Sequence, residues 1–220
     1  MTVDNAPADR HAPGSLRRAR TRSGSPVGFM LIGALCGLAW AAGLRGFMAE
    51  IVGSSSTVSW YGTFGEVLAP GAVTGMLLGW AEHLRRTGGR RGWRWLACAP
   101  LAFLVVLAQP GQIEELLTGG FGGAAIAVPL LAMAGGYALS GRGQAWGRVV
   151  CGLLALSQIP SWIVTSTMFF GAGLAIDTPR GAWVALYYWS FVAVLSVACA
   201  IPHLPVIGPV DESSGGAQPR

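Results

Sequence analysis

Apolar positions along this chain fall in long blocks separated by short polar breaks. Six apolar stretches stand out: Val27 to Ala49, Gly65 to Leu84, Trp93 to Ala108, Gly120 to Ser140, Trp146 to Phe170, and Gly181 to Leu204. A bilayer core of about 30 Å needs about 20 mostly apolar residues in a helix, so each block predicts a membrane-spanning helix. The third is short; the fifth is long and carries Pro160, which predicts a kink near Gln158 to Trp162. The expected fold is therefore all-α, a polytopic transmembrane bundle of about six spans over residues 27–208.

The flanks lack that pattern. Residues 1–26 and 209–220 are poor in large apolar side chains, so both are expected to be disordered. "AWA" (Ala39 to Ala41) resembles a signal-peptide cleavage site, but the apolar run continues past it, and the polar leader is long for a secretory signal.

Composition agrees with the blocks. The chain is 52% hydrophobic and 11% charged, against about 25% charged in soluble domains. Its basic residues are all arginine, a bias that fits a GC-rich genome. Most sit in "RRARTR" (Arg17 to Arg22) and "RRTGGRRGWR" (Arg85 to Arg94), beside apolar runs, and so read as topology signals and not as a nucleic-acid surface. With the Arg142 to Arg148 loop they all fall on one side, which puts both termini in the cytoplasm of a multi-pass cell-membrane protein. Arg45, Arg180, Glu50, Glu66, Glu114, Glu115 and Asp177 fall on the other.

Small residues suggest how the helices meet. Gly71, Gly75 and Gly79 recur every four residues, as do Gly33, Gly37 and Ala41, giving faces on which helix backbones can approach closely in lipid. The first set is a candidate surface for a partner helix. Cys36, Cys98, Cys151 and Cys199 lie in different apolar blocks, without metal-ligand or disulfide spacing. No nucleophile elbow, HExxH, GxGxxG or aspartate-rich diphosphate motif is present, so no metal and no cofactor are expected.

Candidate chemistry rests on ionisable and aromatic groups at membrane depth. Glu50, Glu66 and Asp177 lie near one face, where each is either a solvated rim charge or a carboxyl acid kept protonated by burial. Arg45 could clamp a carboxylate or mark the membrane edge. "IVGSSSTVSWYGTF" carries Trp60, Tyr61 and Phe64, readable as an interfacial belt or as a wall beside the acids. Trp162, Tyr187, Tyr188 and Trp189 fall deeper, where aromatic faces can stabilise cations. Gln158 and Ser161 add polar groups at the kink. Glu82 and His83 are read as partners of Arg85, Arg86 and headgroups.

Over "GLAWAAGLRGFMAE" to "GWAEHLRRTGG", about the first half, the chain resembles small polytopic membrane proteins of GC-rich actinobacteria. In architecture and residue type it also resembles the integral-membrane terpene cyclases of meroterpenoid and indole-terpenoid pathways. That second resemblance implies metal-free, proton-initiated cyclisation of a hydrophobic prenylated substrate. Glu50, Glu66 or Asp177 would donate the proton; Trp60, Tyr61, Trp162, Tyr187, Tyr188 and Trp189 would hold the carbocations. The alternative is a non-enzymatic small transporter or a partner subunit of a membrane complex.

Overall fold

The computed structural model describes residues 24–108 and 123–207, which contain helices and no strand. The leader up to residue 23, Glu114, Glu115, the first residues of the fourth apolar block and the tail beyond residue 207 lie outside the described residues.

Helix α1 covers Pro26–Val52, with proline at its start and Gly53 beyond its end at a positive φ of 66°. After a short 3-10 turn at Gly53–Ser55 the chain enters a π-helical segment, Trp60–Leu68, which runs directly into α2, Ala69–Arg86. The second helix thus begins at Trp60, five residues before the apolar block suggested. Ser59 caps it by accepting the Gly62 N–H at 3.0 Å. Pro70 has no N–H to offer the turn before it, and Ala69 reaches five residues back to the Phe64 carbonyl, giving the wider register.

A 3-10 helix, Trp93–Ala108, follows, with Pro100 inside it. The buried Thr74 hydroxyl donates to the Ala99 carbonyl at 3.2 Å and ties this helix to α2. Then come α3 (Gly123–Leu139), α4 (Ala145–Leu156), α5 (Gln158–Phe170) and α6 (Pro179–Ala200). The break between α4 and α5 falls at Ser157, just before the stretch in which Pro160 predicted a kink. Pro160 cannot donate to the Leu156 carbonyl, and the Ser157 hydroxyl turns back to Leu154 at 2.7 Å.

Four of the helical stretches are long and apolar enough to cross a membrane: Pro26–Ser55, Trp60–Arg86, Ala145–Phe170 and Pro179–His203. Trp93–Val105 and Ile126–Leu139 are shorter apolar helices.

The glycine faces close on each other within the chain. A methyl group on Gly37 would stand 2.9 Å from the Gly75 Cα, and one on Gly33 would stand 3.0 Å from the Gly79 Cα. The partner for Gly71, Gly75 and Gly79 is therefore α1, and this face is not open to a helix from another protein. Backbone contact this close is available only where neither helix carries a side chain. A second close pair joins α3 to α6, where Gly136 sits against Cys199 and Ala200.

Candidate functional site

At the end of the bundle that holds Glu50, Arg45 explains itself first. Its Nε donates to Thr63 Oγ1 at 3.4 Å, its Nη1 to Ser56 Oγ at 3.0 Å, and its Nη2 to the Thr57 carbonyl. It fastens the Ser56–Thr63 stretch to α1. Glu50, in the last turn of α1, is exposed and pairs with Arg180 at 3.6 Å; the same guanidinium donates to the Glu50 carbonyl at 2.8 Å. Asp177 is exposed in the turn before α6, and Glu66 is half-buried on the π-helical segment. Trp60 and Tyr61 are 83% and 66% exposed, and Trp60 lies against Phe64 with ring centroids 4.7 Å apart. These rings face outward, the geometry of an interfacial belt.

The deeper aromatics form a packed cluster. Phe47 stacks on Tyr188 at 5.5 Å and meets Trp162 and Phe191 at 5.8 Å each. Trp162 stacks on Tyr188 at 5.1 Å, and Trp189 is partly buried against the same cluster. Tyr187 meets Phe47 edge-on at 6.2 Å and donates its hydroxyl to the Gly43 carbonyl at 3.0 Å. The Trp40 indole donates to the Phe191 carbonyl at 3.1 Å. Such ring pairs contribute about 0.5–1.5 kcal/mol each beyond the area they bury.

Of the residues picked out in the sequence, Trp162, Tyr187, Tyr188 and Trp189 are thus brought together. Trp60 and Tyr61 are not, and the carboxylates of Glu50 and Asp177 stand at the exposed rim and not among the rings. Phe47, Phe191 and Trp40 were missed. Their signal was the spacing of Trp40, Leu44 and Phe47 on one face of α1, and of Val184, Tyr188 and Phe191 on one face of α6.

The opposite end holds the concavity. A cavity of about 570 Å³ is lined by Arg90, Arg94, Trp93, Trp95, Tyr137 and His203, among others. A smaller one of about 300 Å³ also uses Arg90, Trp93 and Trp95, with Arg91 and Trp80. The loop that builds this wall is shaped by glycine. Gly89 has φ 75° and donates its N–H to the Leu84 carbonyl at 2.8 Å, closing α2. Gly92, at φ 81°, turns the chain into the next helix. Trp93 is buried while Trp95 is 79% exposed, so the two indoles floor and rim the opening. Tyr137 and His203 meet edge-on at 5.9 Å and bring α3 and the C-terminal turn to the same place.

Charges at this end are partly matched. Arg85 is held by both oxygens of Glu82, at 2.6 and 2.7 Å, and Arg86 takes Glu82 Oε1 at 2.6 Å. Arg86 also lies over the Phe29 ring at 5.1 Å. Among the described residues no carboxylate lines either cavity, and Arg90, Arg91 and Arg94 give them a positive wall. Guanidinium forks beside indole rings can hold a phosphate or carboxylate whose hydrocarbon part lies in the bilayer. Among the described residues no three His, Cys, Asp or Glu side chains converge where they would hold a metal ion. No protein-family model, curated protein or solved structure matches the chain.

Proposed function

We propose that this is a non-enzymatic multi-pass membrane protein that binds an anionic amphiphile at its arginine-rich end. The observation that carries the reading is the cavity of about 570 Å³ between Arg90, Arg94, Tyr137 and His203, with tryptophans at its floor and rim. In topology it has six spans and cytoplasmic termini. The four long helices supply four crossings, and Trp93–Ala108 and Gly123–Leu139 supply the others. A 3-10 helix rises about 2.0 Å per residue, so Trp93–Ala108 is about 30 Å long despite its shortness in sequence. With the arginine loops in the cytoplasm, the cavity opens at the inner leaflet, where anionic headgroups are concentrated.

Purified protein in nanodiscs is the material for the test. Phosphatidylglycerol should be retained over phosphatidylcholine in native mass spectrometry. A short-chain phosphatidylglycerol should compete, while inorganic phosphate at equal concentration should not. Arg90→Glu with Arg94→Glu should weaken that preference at least about tenfold, the loss of one charge-assisted contact of about 1.5 kcal/mol or more. Equal retention by wild type and the double variant would sink the reading.

The second reading is the metal-free cyclase. Its support is the aromatic cluster of Phe47, Trp162, Tyr187, Tyr188 and Phe191, the kind of wall that stabilises a carbocation. We rank it second because the ring faces that would hold a cation are covered by one another and Glu50 directs its carboxylate to Arg180. Its test is conversion of prenylated indoles, phenols or their epoxides by the folded protein, with Glu50→Gln and Glu66→Gln as controls.

A further inference from the structure

Helix α5 buries three residues, Gln158, Trp162 and Ser166, and they are spaced four apart. On a helix that spacing makes a single row, with about 6 Å between neighbours. They are 9%, 6% and 0% exposed, so each is at least nine-tenths buried. Each also carries a fully buried polar atom without a hydrogen-bond partner among the described residues: Gln158 Oε1, Trp162 Nε1 and Ser166 Oγ. The indole nitrogen of Trp189, which packs on the same cluster, is a fourth.

Ser166 is the telling member. In apolar surroundings a helical serine or threonine usually donates to the carbonyl one turn back. Thr165 does so to Ser161 at 2.7 Å, Ser196 to Val192 at 2.6 Å, and Ser190 to Tyr187 at 2.7 Å. Ser166 makes no such bond although it is completely buried. The other two are likewise held in place with one polar atom left over. Gln158 donates its amide N–H to the Ala155 carbonyl at 2.8 Å, which leaves Oε1 as its unpartnered atom. The Trp162 ring is fixed between Tyr188 at 5.1 Å and Phe47 at 5.8 Å.

A buried polar group without a partner is costly, and a row of three on one face is too regular to read as scattered packing defects. The row offers an acceptor at Gln158, a donor at Trp162 and either at Ser166. A charged guest is excluded by the cost of an unpaired charge at this depth. The chemistry suited to each of the three is a hydroxyl group, which both donates and accepts; a file of waters reaches all of them, and a single alcohol hydroxyl bridges a neighbouring pair.

We infer that Gln158, Trp162 and Ser166 line a binding site for a neutral hydroxylic ligand inside the bundle, either a short file of water or the alcohol end of an amphiphile. This site is separate from the arginine-rich cavity and does not depend on the reading proposed for it.

The test uses the full chain in nanodiscs with 15N-labelled tryptophan, whose nine indole N–H signals are assigned for this residue by Trp162→Phe. A cross-relaxation peak between the Trp162 N–H and water supports the water file. A shift of the Trp162 N–H on adding decanol, with none on adding decane, supports the alcohol site. Ser166→Ala should shrink either effect by half or more while the signals of the other tryptophans hold their positions. Stability supplies the independent arm. Loss of the ligand's partners should make Ser166→Ala and Gln158→Leu less stable than wild type. No water peak together with no decanol shift would overturn the assignment, and so would a gain in stability for both variants.

Discussion

Replacing Gly37 by alanine tests the close packing of α1 on α2. The added methyl would lie 2.9 Å from both the Cα and the N of Gly75, and nearer still to the Gly71 carbonyl oxygen. Ordinary carbon contacts begin near about 3.5 Å, so α1 and α2 must separate by about 0.6 Å at the Cα and by more at the carbonyl. The three nearest atoms are all backbone, so no rotamer change can relieve the overlap with them. Overpacking of this kind costs about 1–3 kcal/mol, and alanine returns up to about 1 kcal/mol of helix propensity. The net expectation is a loss of about 1–2 kcal/mol, or about five- to thirtyfold in the unfolding constant. Gly28→Ala is the matched control, because it lies in the same helix with nothing within 4 Å of the added carbon. It should be neutral or stabilising. Reversible unfolding in mixed micelles, followed by circular dichroism, measures both. If Gly37→Ala and Gly28→Ala unfold together, the α1–α2 contact is not as close as described. Gly75→Ala should cost as much as Gly37→Ala, and the pair should cost less than the sum, because the first substitution already opens the interface.

Other expectations follow from single contacts. Glu50→Gln should change stability by no more than about 0.5 kcal/mol, since its pair with Arg180 is exposed; a larger loss in the same assay would show that the acid is structural. Tyr187→Phe removes the bond to the Gly43 carbonyl and should cost about 1 kcal/mol, read as a lower unfolding midpoint. Arg45→Ala frees Ser56, Thr57 and Thr63, so the Ser56–Thr63 stretch should be cut faster in limited proteolysis while the core keeps its unfolding midpoint. Cysteines placed as Gln144→Cys and Asp177→Cys should be labelled by a membrane-impermeant maleimide from opposite faces, the second from outside intact cells. Labelling of both from one face would refute the proposed topology.

What the sequence disclosed, and what it did not, follows from the range of the forces involved. The helical segments were legible because a long, mostly apolar run is a local property of the sequence, and four of them are long and apolar enough to cross a membrane. Pro160 located the break between α4 and α5 for the same reason: the missing N–H acts within one turn. The early start of the second helix at Trp60 was not legible, since a polar Ser/Thr run hid a segment that Ser59 caps and Pro70 forces into a wider register. Nor was the role of Arg45, which looked like a possible ligand clamp because the backbone carbonyl and hydroxyls it serves carry no signal of their own.

The arginine-rich cavity shows the limit most clearly. Each of its walls is ordinary when read alone. Arg90 and Arg94 are topology signals, Trp93 and Trp95 are interfacial tryptophans, and Tyr137 and His203 are isolated polar groups at helix ends. Only the tertiary fold brings them to one concavity, where the loop turned at Gly89 and Gly92 meets Tyr137 of α3 and His203 of the C-terminal turn. The topology reading and the binding reading are therefore not rivals. Under the proposed topology, these guanidiniums at the inner leaflet are already where anionic headgroups gather. What distinguishes a binding site from a topological anchor is whether the neighbouring surface is hollow enough to admit one. By that criterion Arg90 and Arg94, which line the concavity, are the arginines for which binding is proposed, while Arg85 and Arg86 are held by Glu82.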